Sequence, residues 1–189
     1  MAFIRKGSNA ALLVVDVQVG VMQFVWEPSR VIENIKRVVE KARGQEVPVI
    51  WIQHSDQELL LDSPGWELVP ELVPGSDDLH IDKHYNSAFE ETTLDDFLEQ
   101  LGISHIVLCG AETNWCIRAT AYAALDRGYD LTLVKDAHTT ENIDLDDGEV
   151  VKALDIIRDL NVVMNWVSYP DRVNQAVSTD ELDFTIKKA

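Results

Sequence analysis

Residues 11–16 read Ala-Leu-Leu-Val-Val-Asp, an apolar run closed by a carboxylate. Residues 47–53, Val-Pro-Val-Ile-Trp-Ile-Gln, are apolar almost without interruption. A strand with one wet face would alternate polar and apolar residues, so such a run points to a strand buried on both faces. Ile106-Val107-Leu108-Cys109 and Leu131-Thr-Leu-Val-Lys135 have the same character, and Leu79-His-Ile-Asp82 is a shorter version. Helical patterns lie between them. Val31, Ile32, Ile35, Val38, Val39 and Ala42 share one helical stripe, with Ser29 as candidate N-cap and Gly44 as stop. Leu94-Phe97-Leu98-Leu101 follows Thr92 or Thr93 as cap and ends at Gly102, and Asn114–Arg127 ends at Gly128. Gly148–Leu160 reads as a last helix, and Val162–Val167 as a sixth strand followed by a polar tail from Ser168.

Strand and helix alternate along the whole chain, which predicts an α/β fold of three layers, helices covering both faces of a parallel sheet. Six strands with crossover helices fit a doubly wound sheet in the order 3-2-1-4-5-6. Strands one and four are then neighbours, and the switch point between them is where ligands bind. The segment from His54 to Asp78 contains Pro64, Gly65, Pro70, Pro74 and Gly75 and reads as a long loop of the kind that usually serves function.

A length of 189 residues suits one domain spanning residues 1–189. No apolar run approaches the ~20 residues needed to cross a bilayer. The start, Met-Ala-Phe-Ile-Arg-Lys, lacks the features of a secretion signal, so the expected compartment is the cytoplasm. Sixteen basic against 33 acidic residues give a net charge of -17, which disfavours nucleic acid and anionic membranes as partners. There are two cysteines, too few for a disulfide scaffold. Cys109, inside an apolar strand, reads as a small buried hydrophobe.

The chemistry gathers at strand ends. Asp16 closes strand one, Lys83 follows strand three, and Cys116 lies in the first turn of the helix after strand four. A free thiol has a pKa of about 8.5, and a helix start with a nearby lysine favours the thiolate. Asp16 then reads as the base for the thiol proton and the acid for a leaving group.

These residues resemble the isochorismatase-like cysteine hydrolases, a superfamily that includes nicotinamidases, N-carbamoyl amidohydrolases and ureide or biuret hydrolases. The resemblance rests on Ala11-Leu-Leu-Val-Val-Asp-Val-Gln18, on Gly110-Ala-Glu-Thr-Asn-Trp-Cys-Ile-Arg-Ala-Thr-Ala121, on Gly128-Tyr129 and on Asp136-Ala137, in that order. It implies a Cys116 nucleophile, Asp16 as acid and base, and Lys83 as third member. It also implies a cis peptide between Ala111 and Glu112, with the backbone N–H groups of Glu112 and Cys116 forming an oxyanion hole. The implied reaction is hydrolysis of a small amide or ureide C–N bond through a thioester, without a cofactor, in a homo-oligomer of two or more copies.

Gln18, Phe24, His54, Trp115 and Asp136 are candidates for substrate contact or for support of the site. Trp26 could also line an apolar pocket. Thr113 reads as a residue that holds the turn, His105 as an ordinary structural residue, and His138 as a solvated loop residue. Trp66 and Trp166 are candidates for an exposed interface. Nicotinamidases carry Asp-x-His after the second strand as part of a metal site. Here the run is Gln53-His54-Ser55-Asp56, so no metal is expected, although His54, Asp56, His80 and His84 together contain metal-ligating types. Two competing readings stand beside the amidohydrolase: a vinyl-ether hydrolase of the isochorismatase type, which needs no cysteine nucleophile, and a catalytically idle oligomeric protein of the same fold.

Overall fold

A computed structural model of the chain describes residues 5–185. The elements in order are β1 (Asn9–Val15), α1 (Val19–Met22), α2 (Pro28–Gly44), β2 (Val49–His54), β3 (Leu79–Lys83), α3 (Leu94–Gln100) and β4 (Ile103–Ala111). A π-helical turn, Thr113–Ile117, leads into α4 (Arg118–Asp126). Then come β5 (Asp130–Thr139), the short strands β6 (Ile143–Asp144) and β7 (Val150–Val151), α5 (Ala153–Trp166) and β8 (Asn174–Val177).

Six strands form one sheet in the order β3-β2-β1-β4-β5-β8, every neighbouring pair parallel. This is the expected three-layer order, with β1 and β4 side by side. Leu13 of β1 stands opposite Ile50 of β2 and Leu108 of β4, so the central strand is apolar on both flanks. Successive β1 side chains feed opposite layers, as the period of two requires. Leu13 and Val15 pack with Leu94 and Leu98 of α3, Ala121 of α4, and Leu160 and Met164 of α5. Leu12 and Val14 pack with Val31, Ile35 and Val38 of α2. Cys109 is fully buried in that second layer, as its strand position predicted.

Several elements differ from the sequence reading. Helix α2 starts at Pro28 with Glu27 as N-cap, so Ser29 lies inside the first turn and caps nothing. Proline without its N–H costs little there, because first-turn N–H groups lack intrahelical partners anyway. The predicted sixth strand, Val162–Val167, is instead the last turn of α5 and its exit. Ile156, Ile157, Leu160 and Met164 keep helical spacing through it, while Val162 and Trp166 face outward. The sheet's sixth position is filled by β8, drawn from the expected polar tail. Asn174 Nδ2 donates to the carbonyls of Met164 and Val167 at 2.8 Å each, tying the start of β8 to the end of α5. The residues expected to open that last helix, around Gly148, form the β6–β7 hairpin instead.

Candidate active site

Asp16, Lys83 and Cys116 converge at the carboxyl edge of the sheet, beside the switch point between β1 and β4. Asp16 follows the last residue of β1 and sits at a φ of 52°, which turns the chain off the strand. Gly110, near the end of β4, lies so close to β1 that a Cβ there would fall 2.0 Å from the Val15 carbonyl oxygen. Only glycine allows that approach, and it brings the Cys116 turn over the end of β1. The turn closes on the Glu112 carbonyl, which accepts from the N–H groups of Trp115 and Ile117 at 3.2 and 3.0 Å. The Ala111–Glu112 peptide is cis, as the resemblance implied.

Lys83 is the hub. Its Nζ donates to Asp16 Oδ2 at 2.7 Å and to Cys116 Sγ at 3.2 Å, and lies 3.4 Å from His54 Nδ1. All three members of the cluster are buried: Asp16 is 2%, Lys83 1% and Cys116 8% exposed. Asp16 Oδ1 has no hydrogen-bond partner among the described residues.

Burial decides the proton affinities. It raises the Asp16 carboxyl above the ordinary carboxylate range, against the opposing pull of the Lys83 ammonium. It also pushes the Cys116 thiol up to about 12, with the Asp16 charge adding to the effect and Lys83 working against it. The expectation that a helix start and a lysine make Cys116 a resting thiolate is therefore corrected. Desolvation outweighs both, so at neutral pH the proton rests on sulfur.

The site opens into a cavity of about 680 Å³ lined by Asp16, Cys116, His54, Phe24 and Trp115, with the long loop contributing Asp56, Glu58, Leu59 and Ser63. Phe24 and Trp115 are 69% and 50% exposed there. Gln18 is buried away from the cavity. Its amide accepts from the His54 N–H at 2.8 Å and donates to the carbonyls of His54 and Trp66 at 2.9 Å each, so it pins the loop and His54 to the end of β1.

Other candidates fall elsewhere. Asp136 does not reach the site; its carboxylate accepts from the Thr179 N–H and hydroxyl, both at 2.8 Å, and anchors the C-terminal segment. Trp26 lies under the Arg30 guanidinium, 5.0 Å from the ring centre, and Trp66 is half-buried rather than exposed. Trp166 is exposed as expected. His105 pairs with Thr132 Oγ1 at 2.8 Å, a structural contact.

His138 corrects the sequence reading most sharply. It is a buried residue of β5, with Nδ1 2.8 Å from Thr113 Oγ1 and Nε2 3.0 Å from Asn161 Oδ1. It therefore braces the turn that carries Cys116, with Thr113 holding the turn as anticipated. Burial drives its pKa down to about 4, so it stays neutral. Its place directly after the apolar Ala137 was the available signal.

The metal-ligating types do not assemble. His54 contacts Asp56 at 3.2 Å, His84 Nδ1 faces Ser55, and His80 is exposed on β3. Among the described residues no group of three or more His, Cys, Asp or Glu side chains is placed to hold a metal ion. The donor set therefore does not fit the nicotinamidase-type centre. Among the described residues no helix is long and apolar enough to cross a membrane.

Fold and relatives together define the class, the isochorismatase-like hydrolases. The chain belongs to the isochorismatase family: the isochorismatase domain model matches residues 10–165. A streptothricin hydrolase of Streptomyces noursei is 33% identical over 139 residues, covering 70% of this chain and 55% of that protein. Nicotinamidase 3 of Arabidopsis thaliana is 28% identical over 154 residues, covering 72% of this chain and 76% of that protein. Among solved structures, N-carbamoylsarcosine amidase from Thermoplasma acidophilum superposes with a TM-score of 0.73 at 26% identity, covering 93% of this chain and 99% of that one. A cysteine hydrolase from Pseudomonas syringae reaches a TM-score of 0.83 at 23% identity, covering 92% and 90%, a likeness of fold. The chain spans about half the length of the first curated relatives it matches.

Proposed function

We propose that the protein hydrolyses a small amide or ureide C–N bond through a thioester on Cys116. The observation that carries this reading is the Lys83 ammonium held between Asp16 Oδ2 at 2.7 Å and Cys116 Sγ at 3.2 Å, beneath an open cavity. A buried thiol with a high proton affinity needs a base at the moment of attack. Asp16, whose own proton affinity is raised, is the acceptor at hand, and its Oδ1 has no other partner among the described residues.

As the Cys116 S–C bond forms, the thiol proton passes to Asp16. Lys83, itself buried, holds the sulfur and balances charge. The carbonyl oxygen becomes an oxyanion held by the Glu112 and Cys116 backbone N–H groups. The C–N bond then breaks and Asp16 returns its proton to the departing nitrogen, leaving a thioester. Asp16 next deprotonates water, which attacks the thioester and releases the acid, and the proton returns to sulfur.

The reading also includes a single domain, a homo-oligomer and a cytoplasmic home. Trp166, 82% exposed at the end of α5, is an apolar surface suited to a second copy. Two free, buried cysteines suit a reducing compartment. A monomeric mass by light scattering at micromolar concentration would refute the oligomer.

The decisive experiment is an ammonia-release screen over small amides, ureides and carbamoyl amino acids. Cys116→Ser and Cys116→Ala should each lose about 1,000-fold or more in turnover. A slow substrate should add its acyl mass to the intact protein. Substantial activity in Cys116→Ala would point to direct water attack, as in vinyl-ether hydrolysis.

A further inference from the structure

The cavity that opens on Cys116 is built from acids. Asp16, Asp56, Glu58, Glu112 and Glu141 all line it, and among the described residues no lysine or arginine does; His54 is the one basic side chain among them. Lys83 lies beneath the floor and is spent on Asp16. Asp56 has His54 Nε2 at 3.2 Å, whereas Glu58, Glu112 and Glu141 form no ion pair among the described residues. Asp56 is held ionised by the N–H groups of Glu58 and Leu59, which donate to its Oδ1 at 2.8 and 2.7 Å. Glu112 is half-buried and faces both Glu141 and Asp16, and burial and these like charges push its carboxyl up to about 7.

Like charges crowded into a partly dry cavity repel unless a cation joins them. Two further observations point to a ligand. Asp16 Oδ1, in a residue 2% exposed that lines this cavity, has no hydrogen-bond partner among the described residues and can accept an N–H of the amide whose carbonyl meets Cys116. Phe24 and Trp115 expose their rings on the same wall, and aromatic faces attract ammonium and guanidinium groups.

From this arrangement we infer that the substrate is a cationic amide, with an amine or guanidinium group held by Glu112 and Glu141 beside the Trp115 ring while its carbonyl meets Cys116. This inference deepens the amidohydrolase reading and rests on it for the reactive end alone; the cation site stands on its own residues. An anionic amide would meet the same carboxylates and be rejected.

The test has two arms. In the first, ammonia release is compared for 5-aminopentanamide, hexanamide and adipamate, three amides of nearly equal length ending in a cation, a methyl and a carboxylate. The kcat/KM should fall in that order, with the cation ahead of the anion by about tenfold or more at low salt. The preference should shrink several-fold in Glu141→Gln, an exposed position, and in 0.5 M sodium chloride, since salt screens such pairs within about 3–10 Å. Equal or better turnover of adipamate would overturn the inference and leave the hydrolase reading intact.

In the second arm, alkylation of Cys116 by iodoacetamide is followed by peptide mass at pH 8.5 with butylammonium, butyrate or 1-butanol present. Butylammonium should slow labelling most, and less so in Glu141→Gln. If no amide is turned over but butylammonium protects selectively, the hydrolase reading falls and the cation site stands. If butylammonium protects no better than 1-butanol, the cation site falls.

Discussion

Lys83 and Asp16 form a buried ion pair, Nζ to Oδ2 at 2.7 Å, with side chains 0% and 3% exposed. Two charges taken out of water are tolerable only together, and removing one leaves the other uncompensated. Lys83→Met should therefore destabilise the fold by about 3–5 kcal/mol as well as abolish turnover. Lys83→Met with Asp16→Asn should recover much of the stability and none of the activity. Urea midpoints and ammonia release separate the two effects, and an unchanged midpoint in the single variant would contradict a buried pair.

The Cys116 thiol, held up at about 12, should behave as a reluctant ground-state nucleophile. Its iodoacetamide rate should keep rising above pH 9 without a plateau, so slow labelling at neutral pH does not mark the protein as idle. Asp16→Asn removes the charge that opposes the thiolate and leaves Lys83 to favour it. That variant should label faster at pH 8 while turning over far more slowly. Slower labelling in Asp16→Asn would remove Asp16 as the group that holds the proton on sulfur.

His138 makes the fold sensitive to acid. Its folded pKa of about 4 lies below the ordinary 6.5, so between those values the unfolded chain binds a proton that the folded chain refuses. Its contribution to stability is complete above about pH 6.5 and is lost as pH falls through that window. The loss should be on the order of 2–3 kcal/mol by pH 4. His138→Gln keeps polar atoms near Thr113 and Asn161 and cannot titrate. The gap in urea midpoint between the two proteins should narrow or reverse from pH 7.5 to pH 4.5, and a constant gap would mean that His138 charges freely in the fold.

How far the site could be read in advance depended on the range of the forces involved. Asp16, Lys83 and Cys116 were legible because each lies at or just past the end of its own strand, and strand order then brings the three ends together. The acidity of Cys116 was misread because helix-start and lysine effects are visible locally, whereas desolvation depends on everything packed around the sulfur. Asp136 looked like a site residue from its neighbour Ala137, yet its carboxylate turns to Thr179, 43 positions away. Glu112 and Glu141 share a cavity wall that no local pattern announces.

By itself the sequence determined the sheet and its switch point. Apolar runs such as Ala11–Val15 can satisfy their side chains only between two helical layers, and parallel strands with helical crossovers admit few orders. Only the tertiary structure decided the last strand. Asn174–Val177 carries no apolar run, because it lies at the edge beside β5 and gains its place from backbone pairing and the Asn174 bonds to the end of α5. Val162–Trp166 had the composition of a strand and became helix, because Leu160 and Met164 bury one face of α5 against the sheet. Short apolar segments are compatible with either state, and the choice belongs to the partners they pack on.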